Sequence, residues 1–176
     1  DAFENIAVTT LVQDPTEPEV MYFGTGEGYG NIDAIRGLGI WRSLDGGESW
    51  TTVPGANSID FEYIQKMIAA PDGSIYVASK KGLYVTTDRG ETLSYLLGEN
   101  RNAESNEICD VDLASDGTLY VTVGLTEGDG IYRRNLGEEN FVKVGPNIDG
   151  RFERIELAVA PSNPNRIFAL VEGRGG

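Results

Sequence analysis

Apolar and polar positions alternate along this chain in short runs, and each run stops at glycine, proline or aspartate. No long segment holds the roughly 3.6-residue period of an amphipathic helix, so the pattern predicts strands throughout. The runs recur in a fixed order. Val20-Met21-Tyr22-Phe23, Ile75-Tyr76-Val77-Ala78, Leu119-Tyr120-Val121-Thr122 and Ile167-Phe168-Ala169-Leu170 are apolar on both faces, as strands buried between two layers require. A turn precedes each of them: Asp14-Pro15-Thr16-Glu17-Pro18, Ala70-Pro71-Asp72-Gly73, Ser115-Asp116-Gly117 and Ala160-Pro161-Ser162-Asn163-Pro164. A third strand opened by glycine follows three of them, at Gly39-Ile40-Trp41-Arg42, Gly82-Leu83-Tyr84-Val85 and Gly130-Ile131-Tyr132-Arg133.

After that third strand come two octapeptides of one template, Ser43-Leu44-Asp45-Gly46-Gly47-Glu48-Ser49-Trp50 and Thr86-Thr87-Asp88-Arg89-Gly90-Glu91-Thr92-Leu93. A third copy has decayed to Arg134-Asn135-Leu136-Gly137-Glu138-Glu139-Asn140-Phe141. The unit is strand, turn, strand, loop, strand, Asp-containing turn, strand. Its period matches one four-stranded propeller blade of about 40–50 residues. The chain therefore reads as all-β, a β-propeller of four-stranded antiparallel blades over 1–53, 54–97, 98–145 and 146–176, the last incomplete. Closed propellers have about 4–8 blades. Three and a half do not close, so the remaining blades of the same protein are expected as partners.

In each octapeptide the aspartate is expected to accept backbone N–H bonds within the turn, and Gly47 and Gly90 to take positive φ. Trp50 is expected to pack its ring back between neighbouring strands. Recurrence argues for scaffold, because catalysis needs one site whereas scaffold recurs in every blade.

These octapeptides resemble the Asp-box, or BNR repeat, of sialidases, sortilin-type receptors, xyloglucan-hydrolysing glycosidases and photosystem-assembly propellers. The resemblance rests on Ser43, Asp45, Gly47, Ser49 and Trp50, and on Thr86, Asp88, Gly90 and Thr92, with Leu93 in place of the aromatic. The stretch from Met21 to Trp41 is similar to secreted Asp-box propellers of Bacteroidetes, which often precede a type IX secretion signal. The resemblance implies a secreted or cell-surface protein and secretion machinery as a partner. It leaves activity open, since this fold hosts hydrolases, receptors and assembly factors alike. Sialidases need an arginine cluster and an Arg-Ile-Pro segment, and no Arg-Ile-Pro occurs.

Composition narrows the choice. The chain carries 14 basic and 28 acidic residues, a net charge of −14. That balance repels phosphate backbones and argues against nucleic acid. Histidine is absent, which removes His-based zinc sites and Ser-His-Asp triads. The lone Cys109 reads as a buried small hydrophobe. No run is apolar and long enough to insert in a membrane as a helix. Asp110-x-Asp112 alternates within a strand and lacks the loop spacing of a calcium site. No cofactor and no metal is expected.

Topology places the octapeptides on one rim of the propeller. Second-to-third strand loops and blade-to-blade connections share the opposite rim, where function usually resides. Its longest loop runs from Gly24 to Leu38, against only Ser79-Lys80-Lys81 in the next blade. Glu27, Tyr29, Asn31, Asp33 and Arg36 are its candidate ligand-binding residues, with Asp33–Arg36 an ordinary ion pair on the structural alternative. Aromatic, amide and acid groups together suit a glycan or protein ligand. Asp60, Glu62, Arg101, Glu104, Asp149 and Arg151 lie on neighbouring loops, where two carboxylates about 5–10 Å apart would make a glycosidase pair. The expected function is a non-catalytic extracellular or cell-surface binding propeller. The rival is a sialidase-like or xyloglucanase-like glycoside hydrolase.

Overall fold

The computed structural model describes residues 7–29, 32–97, 107–124, 130–145 and 152–173. Among the described residues, fourteen strands form four antiparallel sheets, each made in chain order. The first holds β1 (Val8–Gln13), β2 (Met21–Thr25), β3 (Ile40–Ser43) and β4 (Thr51–Thr52). The second holds β5 (Ile64–Ala69), β6 (Ile75–Ser79), β7 (Gly82–Thr86) and β8 (Ser94–Leu97). The third holds β9 (Glu107–Leu113), β10 (Leu119–Gly124), β11 (Gly130–Arg134) and β12 (Val142–Val144). The fourth pairs β13 (Phe152–Val159) with β14 (Ile167–Gly173). A 3₁₀ turn at Ile59–Phe61 is the one helical element among the described residues. These sheets are successive propeller blades, three complete and one with two strands.

The doubly apolar second strands of the first three blades are buried as their pattern requires, and that of the fourth is not. Every residue of β10 is buried, and only Met21 of β2 is partly exposed. The cores lie between sheets. Tyr22 and Ile40 of the first blade meet Ile64, Met67 and Val77 of the second. Ala78 and Leu83 meet Ile108, Val111 and Val121 of the third. Tyr120 and Ile131 meet Ile155 and Leu157 of the fourth. Phe168 and Leu170, on the outer face of the fourth sheet, stay exposed.

The recurrent first turn closes the same way in successive blades. The Ala70 amide donates to Ser74, that of Ala114 to Thr118 and that of Ala160 to Arg166. Asp72, Asp116 and Asn163 each accept a backbone N–H two residues on, near 3.0 Å. First strands of neighbouring blades lie side by side along the centre, and side chains stitch them. The Met67 amide donates to Thr10 Oγ1 at 3.1 Å. Asp110 and Asp112 of β9 accept the Leu157 and Val159 amides of β13 at 2.6 and 2.8 Å.

A candidate ligand site at the second rim

Each of the four inner strands departs from regular pairing at the same place. Register skips Thr9 between Val8 and Thr10, Gln65 between Ile64 and Lys66, and Cys109 between Ile108 and Asp110. It skips position 153 in β13. All four bulges sit near the rim opposite the octapeptide turns. A bulge takes one residue out of the ladder and re-aims its side chain. Gln65 thus turns its amide to Glu107, Nε2 to Oε1 at 2.8 Å. The Cys109 carbonyl accepts the Tyr29 hydroxyl at 2.8 Å, a contact that carries the first blade's long loop across to the third. Gly28 leaves room for this path, because a Cβ there would lie 2.2 Å from the Gln65 amide nitrogen.

Charge gathers around the same strand. Glu107 is 4% exposed, and burial lifts its carboxyl above the usual range against the pull of Lys80 and Gln65. Lys80 Nζ stands 3.9 Å from Glu107 and 4.9 Å from the centre of the Tyr63 ring. Arg154 of β13 lies 4.0 Å over the Tyr29 ring and donates to Glu156 at 2.6 Å. Burial pushes the Tyr29 hydroxyl strongly upward, so it stays a donor at neutral pH. Asp110 is fully buried and 2.7 Å from Lys66 Nζ. Burial raises its carboxyl too, although Lys66 and the Leu157 amide oppose the shift. Such a group of aromatic, amide, carboxylate and cationic side chains offers directional bonds and ring faces to a polar ligand.

The long loop contributes less uniformly than its sequence suggests. Tyr29 enters the cluster, but Arg154 covers one face of its ring. Glu27 pins the loop's neck, its Oε2 and amide meeting the amide and carbonyl of Ile35 at 3.0 and 2.9 Å. Asp33 is exposed. Arg36 pairs with Glu62 of the following connection. Asn31, Arg101, Glu104, Asp149 and Arg151 lie outside the described residues. Arg36, Leu38, Trp41, Asn57 and Glu62 line a cleft of about 500 Å³ on the outer side of the first blade. Gln65, Lys80, Glu107 and Arg154 were not anticipated. The placement of Gln65 depends on a bulge, for which the sequence carries no signal beyond regular alternation.

On the opposite rim both octapeptides close alike. Asp45 accepts the Ser49 amide at 2.9 Å and its hydroxyl at 2.5 Å. Asp88 does the same with Thr92 at 2.9 and 2.7 Å. The Ser43 and Thr86 hydroxyls each accept the glycine amide four residues on, at 2.8 Å. The turn aspartates thus accept the expected backbone N–H bonds, from amides four residues on. Ser43 and Ser49 hold the Asp45 carboxyl down at about 2. Gly47 and Gly90 have φ of 94° and 80°. Trp50 packs 4.8 Å from the Phe23 ring and donates to the Gly47 carbonyl at 3.1 Å. Asp110 and Asp112 spend their carboxylates on inner-strand amides, and no cluster of three potential ligands for a metal occurs among the described residues.

No protein-family profile matches the chain. It is 28% identical over 193 aligned positions to the xyloglucanase Xgh74A of Acetivibrio thermocellus. That match covers 90% of this chain and 22% of the relative, so the chain spans about a fifth of the curated protein. An ancestral GH74 enzyme superposes with a TM-score of 0.68 at 20% identity, over 92% of this chain and 23% of that one. The extracellular domain of a B. thetaiotaomicron protein superposes at 0.60 and 12% identity, covering 90% and 19%. The structural likenesses establish the propeller fold.

Proposed function

We propose that this chain belongs to an Asp-box propeller, secreted or held at the cell surface, which binds polysaccharide at its second rim, with blades over 1–53, 54–97, 98–145 and 146–176. The observation that carries the reading is the convergence of Gln65, Lys80, Glu107 and Arg154 around Tyr29 and Tyr63 at one end of the inner strands. The similarity to a xyloglucanase supports polysaccharide as the ligand class. Export by type IX machinery belongs to the same reading, through the resemblance of residues 21–41. Affinity electrophoresis of the full-length protein through a polysaccharide panel that includes xyloglucan tests it. Binding should weaken in Glu107→Gln and persist in Asp45→Ala. Free migration in every gel would refute it.

A second reading, hydrolysis, is favoured by the same relative and by the raised Glu107 carboxyl, the property of a general acid. Release of reducing ends from xyloglucan that Glu107→Gln abolishes would establish it in place of binding alone.

A further inference from the structure

The ion pairs of this chain do not all face the same way. Around β9 the carboxylate lies beneath and the cation outside. Lys66 is 34% exposed and Asp110 0%; Lys80 is 29% exposed and Glu107 5%. Arg36 also stands outside Glu62, and Arg154 slightly outside Glu156. On the octapeptide rim the order is mixed: Arg89 is more exposed than Glu17, at 59% and 42%, but Arg42 is 10% exposed against 62% for Glu91. Long cationic side chains tend to reach outward wherever they are, yet Arg42 does not. Nor is the orientation an average property, since the chain carries a net charge of −14. Burying carboxylates under their partners costs more than exposing them. The pairs around β9 bear that cost and turn their positive member toward solvent.

We propose that this rim, at the mouth of the central channel, receives an anionic glycan whose uronate carboxylates meet Lys80 and Arg154. The inference rests on the polysaccharide-binding reading and narrows it, because xyloglucan is neutral. Tyr63 beside Lys80 and the Gln65 amide distinguish the site from a bare cationic patch, since a sugar ring needs an apolar face and hydroxyl partners.

Isothermal titration of the full-length protein with hexagalacturonate and with a xyloglucan oligosaccharide tests the proposal. Hexagalacturonate should bind about tenfold more tightly at low salt, and about 0.5 M salt should erase the difference. Lys80→Gln with Arg154→Gln should cost about tenfold in uronate affinity. Lys80→Gln alone gives a smaller loss in the same direction should the double variant fold poorly. Arg89→Gln, on the opposite rim, should change nothing. Equal or tighter binding of the neutral oligosaccharide overturns the proposal and leaves polysaccharide binding standing. Uronate binding indifferent to salt and to the variants overturns it too, as does equal displacement by polyaspartate, which would show a site for acidic peptide. Binding of neither sugar defeats the underlying reading as well.

Discussion

Asp110 is the sharpest test of how the blades are joined. Its carboxylate lies in β9 with no solvent contact, 2.7 Å from Lys66 of the second blade and 2.6 Å from the Leu157 amide of the fourth. One side chain therefore bonds to both neighbours. Asp110→Ala strands the Leu157 amide in a site where that residue is buried, which costs about 1–3 kcal/mol. Lys66 is partly exposed and finds water, so its lost pair adds about 0–1 kcal/mol. Relief of the buried charge works the other way. The expected net loss is about 2 kcal/mol. Asp110→Asn keeps a carbonyl acceptor and removes the charge, so it should lose under about 1 kcal/mol. Urea unfolding followed by tryptophan fluorescence measures both. With a slope of about 2 kcal/mol/M, alanine lowers the midpoint by about 1 M. If asparagine is as damaging as alanine, the ion pair and not the amide bond joins the blades. If alanine changes nothing, the inter-blade bond is idle.

Two further outcomes follow from the carboxylates. Asp45→Ala should lower the melting temperature by removing the acceptor of the Ser49 amide and hydroxyl while leaving ligand affinity unchanged; intact melting with lost affinity would put the octapeptide in the site. Stability should pass through a maximum in mildly acid solution. Glu107 and Asp110 have raised pKa values, so their contribution is full below the unfolded values of 4.5 and 3.8 and is lost as pH rises through the folded ones. Asp14, Asp45, Asp88 and Asp116 have lowered values, so theirs is present above 3.8 and is lost as pH falls, for Asp45 through about 2. A melting temperature that climbs steadily from about pH 5 to 8 at fixed ionic strength would contradict this balance.

The blades were legible because burial on both faces leaves a mark in sequence. Ile75-Tyr76-Val77-Ala78 is apolar on both faces and buried but for a partly exposed Tyr76, as a strand between two layers requires. The octapeptides were legible because their chemistry is local, with Ser43, Asp45, Gly47 and Ser49 bonding one another within a single turn. The site was much less so. Tyr29 and Cys109 are 80 positions apart, and their contact depends on a bulge that frees one carbonyl. Nothing in Ile108-Cys109-Asp110-Val111 distinguishes a bulged strand from a regular one. Glu107 carries no mark in the sequence, yet its burial at the start of β9 gives it its altered carboxyl.

On the proposed function, the repeated bulges separate stability from recognition. At the octapeptide rim each turn is closed by its own side chains, so its bonds are complete before any ligand arrives. At the other rim the ladder is interrupted in every inner strand, and the groups released are met by different partners each time: Ile64 for Thr9, Glu107 for Gln65, Tyr29 for Cys109. A repeat that kept its ladder to both ends would present backbone already paired and identical in each blade. Breaking it at one end gives each blade a different polar group to offer there. Changes near Thr9, Gln65 and Cys109 can therefore alter what the rim presents without disturbing the turns that hold each blade's third and fourth strands together.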